Sequence, residues 1–217
     1  NQLVAGDIRL DWADFIQKAY MNRIALSSSG FYATPNIYYD HAKGQGHPFL
    51  YYANGAACSE VVLDTLTGEY RVLRTDILHD AGQSLNPEID IGQIEGGFVQ
   101  GMGWLTTEEL VYSDQGRLLT TGPATYKIPA VSDMPPDLRV NLLANSPNKE
   151  ATVFRSKAVG EPPLMLGIAV WSALRDAVAS LTDYRYSPPL DTPATPERML
   201  AAVTAARQWA LAEQEAV

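Results

Sequence analysis

The chain has 217 residues, 46% of them apolar and 19% charged, with a formal net charge of −9. This composition belongs to a globular protein rather than a disordered one, and the acidic balance argues against nucleic acid held through its phosphates. No uninterrupted apolar stretch reaches the length of a membrane span, so no membrane partner is expected. One cysteine, Cys58, rules out an intrachain disulfide framework and fits a reducing, cytoplasmic setting. No signal-peptide pattern opens the chain, and its start at Asn1 without a methionine suggests a processed chain or an excised piece.

Residues 1–9 read as an extended lead-in. Asp11 is a natural N-cap for a helix through about Asn22, with Trp12, Phe15 and Ile16 on one face. Turn formers and tyrosines over 23–48 predict irregular or short extended structure. His41, His47 and Asp40 supply too few ligands for a metal centre, so no metal-ligating residue is assigned. Residues 49–80 predict a β-hairpin with arms 50–63 and 70–79, turned at Asp64–Gly68. Cys58 has no base near it in sequence and is expected as a small core residue. His79 beside Asp80 reads as a strand-end histidine bonded locally, with an acid–base pair as the alternative.

Asn86-Pro87 marks a helix start, and the helix should reach about Thr106. Its interior carries Gly92, Gly96, Gly97, Gly101 and Gly103. Each costs roughly 1 kcal/mol against alanine, so close approach by another backbone or a bulky cofactor must compensate. Gln93 and Gln100 fall on nearly one face, with Gly96 or Gly97 between them. A second hairpin (108–112 with 117–121) and strands at 125–128 and 138–143 follow. Glu108 and Glu109, adjacent on a strand, would point to opposite faces. A last helix should start at Thr195-Pro196-Glu197 and end near Glu213. Strands and helices mix without a βαβα rhythm, so the fold class is α+β. The span 1–217 reads as one segment, with 187–217 a candidate helical extension.

The stretch Ala158-Val159-Gly160-Glu161-Pro162-Pro163 opens the apolar run 164–181. Pro162 and Pro163 suit a helix's first turn, and Pro162 should bias Glu161 away from the α region. Glutamate is a poor N-cap. Apolar neighbours suggest a desolvated carboxylate, with the helix dipole pulling the other way; such tuning suits a general base. A purely structural acid at a helix start is the competing reading. A carboxylate hydrolase pairing Glu161 with Glu108 or Glu109 has little support.

Gly92-Gln93-Ile94-Glu95-Gly96-Gly97-Phe98-Val99-Gln100-Gly101, Gly122-Pro123-Ala124-Thr125-Tyr126-Lys127-Ile128-Pro129 and Ser156-Lys157-Ala158-Val159-Gly160-Glu161-Pro162-Pro163 occur in this order. Together they resemble the molybdenum domain of xanthine dehydrogenases, over nearly the whole chain. The resemblance implies a C-terminal segment of that domain, in an enzyme that hydroxylates purines such as hypoxanthine and xanthine. It implies a molybdopterin cofactor, Glu161 as the base acting on a molybdenum-bound hydroxide, and Gln93 in the cofactor pocket. It also implies iron–sulfur clusters and FAD on other segments or subunits, a partner in the remaining half of the domain, and a homo-oligomeric complete enzyme. Aldehyde oxidase and nicotinate dehydrogenase segments are close alternatives, and a non-catalytic structural fragment is a third. Alone, the chain is expected to be inactive, to expose apolar surface where its other half docks, and to self-associate.

Overall fold

The computed structural model describes residues 2–215. The chain divides into two compact units at Leu50 and Tyr51. In the first unit, β1 (Gln2–Ala5) and β2 (Ile8–Asp11) form an antiparallel hairpin turned at Gly6. The expected lead-in is therefore a strand with a partner. Helix α1 (Trp12–Met21) follows, and Asp11 caps it by accepting from the Ala13 N–H at 3.2 Å. A short hairpin, β3 (Tyr38–Asp40) with β4 (Gln45–His47), completes the unit. Among its described residues only Ala19 is buried. A unit with so little core gains little from hydrophobic burial.

The second unit is built on a three-stranded sheet. β5 (Gly55–Leu63) pairs antiparallel with β6 (Tyr70–His79), and β6 pairs parallel with β7 (Asp137–Leu142). The β5–β6 turn falls where the sequence puts it: the Leu66 N–H donates to Asp64 Oδ1 at 2.8 Å, and Gly68 has φ +79°. Parallel pairing requires a crossover, and the chain supplies it as helix α2 (Pro87–Thr106), capped by Asn86. One βαβ unit is therefore present, without the repeating alternation of an α/β fold. The long irregular stretch between α2 and β7 hides it in the sequence.

Helices α2 and α3 (Ile168–Ala179) pack on the sheet, and α4 (Pro196–Glu215) packs against α3 and the β5–β6 turn at Gly68. Ile77, Ile94, Phe98, Met102, Val170, Leu174, Val178, Met199 and Val203 form one core. The whole is mixed α+β, as expected. The helical segment Pro162–Thr182 has the length and apolar composition of a membrane span, a property the sequence reading did not credit to it. Val170, Leu174 and Val178 are fully buried along one side of it, while Met165, Ile168 and Leu181 are exposed, so one face is turned to the core and 33% of its apolar window is buried.

Several local expectations fail for identifiable reasons. The hairpin at 108–121 shrinks to a single bridge between Tyr112 and Leu118. There the Val111 N–H goes to the Thr120 hydroxyl instead of a ladder carbonyl. Residues 125–128 form no strand, because the N–H groups of Thr125 and Tyr126 both bond the Gly122 carbonyl in a turn. Cys58 is exposed, not in the core. It shares the outward face of β5 with Glu60 and Val62, while Ala57, Ser59 and Val61 face inward.

His79 also departs from the local bonding expected of it. It is buried, and neither ring nitrogen has a hydrogen-bond partner. Burial depresses its protonation below the ordinary value of 6.5; Asp80 opposes the shift and Lys157 adds to it. The unfolded chain therefore takes up this proton at a higher pH than the folded one. The contribution to stability is complete above about pH 6.5 and is lost as pH falls through the folded value. Melting the full-length protein between pH 7.5 and 5 should show this fall. A His79→Phe variant should show a flatter profile across that window; an equal slope in both would contradict the assignment.

Candidate functional site

The site is assembled where residues 156–167 cross α2. The approach to it is tied down in steps. The Arg155 carbonyl accepts from the Gln83 and Asn148 N–H groups at 2.9 and 2.8 Å. Gly82, at φ +65°, bridges to Ser156, and a Cβ there would stand 2.6 Å from the Arg155 carbonyl oxygen. Only glycine fits both the dihedral and the space. The Lys157 N–H donates to the Ala81 carbonyl (2.9 Å) and the Ala158 N–H to the Tyr51 hydroxyl (2.9 Å).

Beyond Gly160 the chain enters a 3₁₀ helix, Pro162–Gly167, which runs directly into α3. Glu161 lies in the αR region (φ −97°, ψ −40°), so the bias from Pro162 is overridden. The turn that follows does not impose this: the Leu164 N–H bonds the Glu161 carbonyl at 3.1 Å, a bond that fixes Pro162 and Pro163 and leaves the dihedrals of the capping residue open. The Glu161 side chain makes no capping bond, and it is exposed rather than desolvated in this chain. Its carboxylate is therefore held by its backbone and left available.

The glycines of α2 divide into two groups. A Cβ on Gly101 would stand 2.0 Å from the Leu164 carbonyl oxygen, and one on Gly97 2.9 Å from Pro163 Cβ. A Cβ on Gly167 would in turn stand 2.4 Å from the Gly101 carbonyl carbon. Here helix and 3₁₀ turn meet backbone to backbone. Gly103 makes room for Pro129 and Glu108. Gly92 and Gly96 have nothing within 4 Å of a would-be Cβ. Sequence reasoning offered another backbone or a bulky cofactor as the compensation; Gly97 and Gly101 take the first, and among the described residues no atom explains Gly92 or Gly96.

Gln93 stands between those open glycines and is exposed. Its Oε1 is 3.6 Å from the position a Cβ on Gly160 would occupy. The structure thus brings the helix of Gln93 against the loop of Glu161, although the two lie far apart in sequence. Glu108 and Glu109 are engaged elsewhere: the Tyr126 hydroxyl donates to Glu108 at 2.6 Å, and Arg198 pairs with Glu109 at 2.9 Å. They offer no second free carboxylate for a hydrolytic pair. The sequence reading missed Asp80 as the partner of Lys157, and no local spacing could have revealed a contact between segments so far apart.

Residues 1–135 match the family described as molybdopterin cofactor-binding domain. The chain is 50% identical over 197 residues to the xanthine dehydrogenase/oxidase of Felis catus, covering 87% of this chain and 14% of that protein. It is also 50% identical over 189 residues to the xanthine dehydrogenase of Dictyostelium discoideum, covering 83% and 14%. The chain thus spans about one seventh of the length of these relatives. Among solved structures, it is similar to the aldehyde oxidoreductase of Desulfovibrio gigas, with a TM-score of 0.67 and 27% identity over 87% of this chain and 20% of that one. It is similar as well to quinoline 2-oxidoreductase of Pseudomonas putida 86, with a TM-score of 0.63 and 34% identity over 70% and 19%.

Proposed function

Because the chain belongs to the molybdopterin cofactor-binding domain family, we propose that it forms one wall of the molybdenum centre in a xanthine dehydrogenase-type hydroxylase, with purines such as hypoxanthine and xanthine as substrates. The observation that carries this reading is the placement of Glu161. It is a carboxylate without a structural task, on a backbone fixed at both ends, beside Gln93 and a helix face lined by open glycines.

The residues present fit a large polar cofactor. Gly92 and Gly96, one turn apart on α2, leave a strip beside Gln93 bare of side chains, and the amide of Gln93 can both donate and accept. Gln93 would hold molybdopterin, and the bound cofactor would supply a molybdenum centre able to take two electrons. Glu161 then accepts a proton at its carboxylate oxygen from the oxygen nucleophile to be transferred to the substrate carbon, the part of a general base. Gly160 keeps the approach between Glu161 and Gln93 clear of side-chain atoms. The 3₁₀ turn aims the carboxylate, and its contact with Gly97 and Gly101 holds it at a set distance from the helix.

In this chain Glu161 is exposed, so the walls that exclude water and grip the purine come from the remaining half of the domain. Iron–sulfur clusters and FAD would lie on other segments or subunits, where they would supply an exit for the electrons, in a homo-oligomeric cytoplasmic enzyme. Exposed Trp104, Ile128, Val131 and Phe154 are apolar surface of the kind that such partners cover, and they would let the isolated chain self-associate. The isolated chain is inactive on this reading. Sequence identity near one half to xanthine dehydrogenases favours purines over the aldehydes named for the solved relative. The test is the specificity of the full-length enzyme. kcat/KM for xanthine should exceed that for aldehydes and nicotinate, with molybdenum bound stoichiometrically. A preference for aldehydes, or a preparation turning over without molybdenum, would overturn the assignment.

A further inference from the structure

Glu161 is positioned by its backbone alone, so whatever anchors residues 156–160 decides where the carboxylate points. Downstream, the anchor is Pro163 packed on Gly97. Upstream, it is Lys157. The Lys157 ammonium pairs with Asp80, which directly follows β6, and also donates to the Tyr52 carbonyl at 3.0 Å. The two side chains are only 11% and 8% exposed. Asp80 also accepts from the Gly82 N–H at 2.9 Å. Burial alone would raise the Asp80 carboxyl, yet these donors and the lysine charge bring it below its ordinary value.

A buried ion pair is a poor way to gain stability, because desolvating both charges offsets much of their attraction. What it does supply is register. A lysine four residues before Glu161 can reach this one acceptor cluster only with the loop in a single placement, and the bonds from the Lys157 and Ala158 amides fix the same placement. We propose that the Asp80–Lys157 ion pair is a positioning device for the Glu161 carboxylate. Lys157 and Asp80 act as positioning residues that touch neither substrate nor cofactor, and the proposal rests on the reading of Glu161 as the base.

The test uses full-length, cofactor-loaded enzyme and a double-mutant cycle. Lys157→Met should lower kcat about 10- to 100-fold, the scale of a small misplacement at a reacting centre, with KM changed less than about twofold. It should also speed amide hydrogen exchange at positions 157 and 158, a readout independent of turnover. In a Glu161→Gln background the same change should cost nothing further, since it acts only through the base. If leaving Asp80 buried without its partner prevents folding, Asp80→Asn/Lys157→Met removes both charges and carries the same criteria. An equal loss with and without Glu161 would mark a merely structural role and overturn the proposal, as would unchanged exchange at 157 and 158. A slow Glu161→Gln enzyme beside an undiminished Lys157→Met enzyme would overturn the positioning role alone. An undiminished Glu161→Gln enzyme would overturn the base assignment, and the proposal with it.

Discussion

Glu161→Gln is expected to lower turnover of the full-length enzyme by about 10²- to 10⁴-fold, the usual contribution of a general base. The substitution keeps the shape of the side chain and removes its capacity to take a proton. Little else should change. The Glu161 carboxylate caps no N–H and lies exposed in this chain, so stability should stay within about 0.5 kcal/mol, as for ordinary surface positions. Molybdenum content should match the parent, because the amide retains the volume of the acid. The loss should fall on kcat more than on KM, the sign of an interaction used in the transition state. Steady-state kinetics with metal analysis on the same preparation checks the rate, its division between kcat and KM, and the metal content, and thermal melting checks the stability. Full activity with full metal content would remove Glu161 from the chemistry.

Gly101→Ala should be among the most damaging small substitutions in the second unit. The added methyl would sit 2.0 Å from the Leu164 carbonyl oxygen and 3.4 Å from Gly167 Cα. Both neighbours are backbone, so no rotamer change relieves the clash. Overpacking typically costs about 1–3 kcal/mol, occasionally more, while the gain in helix propensity returns only about 1 kcal/mol. The helix must also move off the 3₁₀ turn, which separates Gln93 from Gly160 and should lower cofactor content. Gly96→Ala makes the control on the same helix. Its methyl meets no protein atom within 4 Å, so the full-length protein should gain up to about 1 kcal/mol while a cofactor seated on that face is displaced. Thermal melting and molybdenum content together should move in the same direction for Gly101→Ala and in opposite directions for Gly96→Ala. Equal melting temperatures for the two variants would refute the packing argument.

The helices were legible where capping and proline made them so. Asp11, Asn86-Pro87 and Thr195-Pro196 each fix a helix start through local chemistry, and local chemistry is what a sequence displays. The β5–β6 hairpin was legible for the same reason, through its Asp–Gly turn. The motif around Glu161 stood out as a poor cap between a glycine and two prolines. The failures involve competition that spacing does not reveal. Val111 exchanges a ladder bond for the Thr120 hydroxyl, Glu161 lies in the αR region despite the proline that follows it, and Cys58 faces outward because alternation on β5 puts it with Glu60. The parallel β6–β7 pair and the Asp80–Lys157 contact join distant segments, and neither has a local signature. The glycines of α2 announced close packing without saying which of them met backbone and which stayed open.

The backbone-to-backbone seam between α2 and residues 162–167 also bears on the order of assembly. During synthesis the chain emerges from its N-terminus, so α2 leaves the ribosome long before the 3₁₀ turn that lies against it. Until then Gly97 and Gly101 have no partner, and the helix carries the full entropic handicap of its glycines. Closing so long a loop is slow and comes after local structure. The groove between Gln93 and Glu161 is thus a late product of folding, and a cofactor that needs both walls can be loaded only after the C-terminal part of the domain has been made.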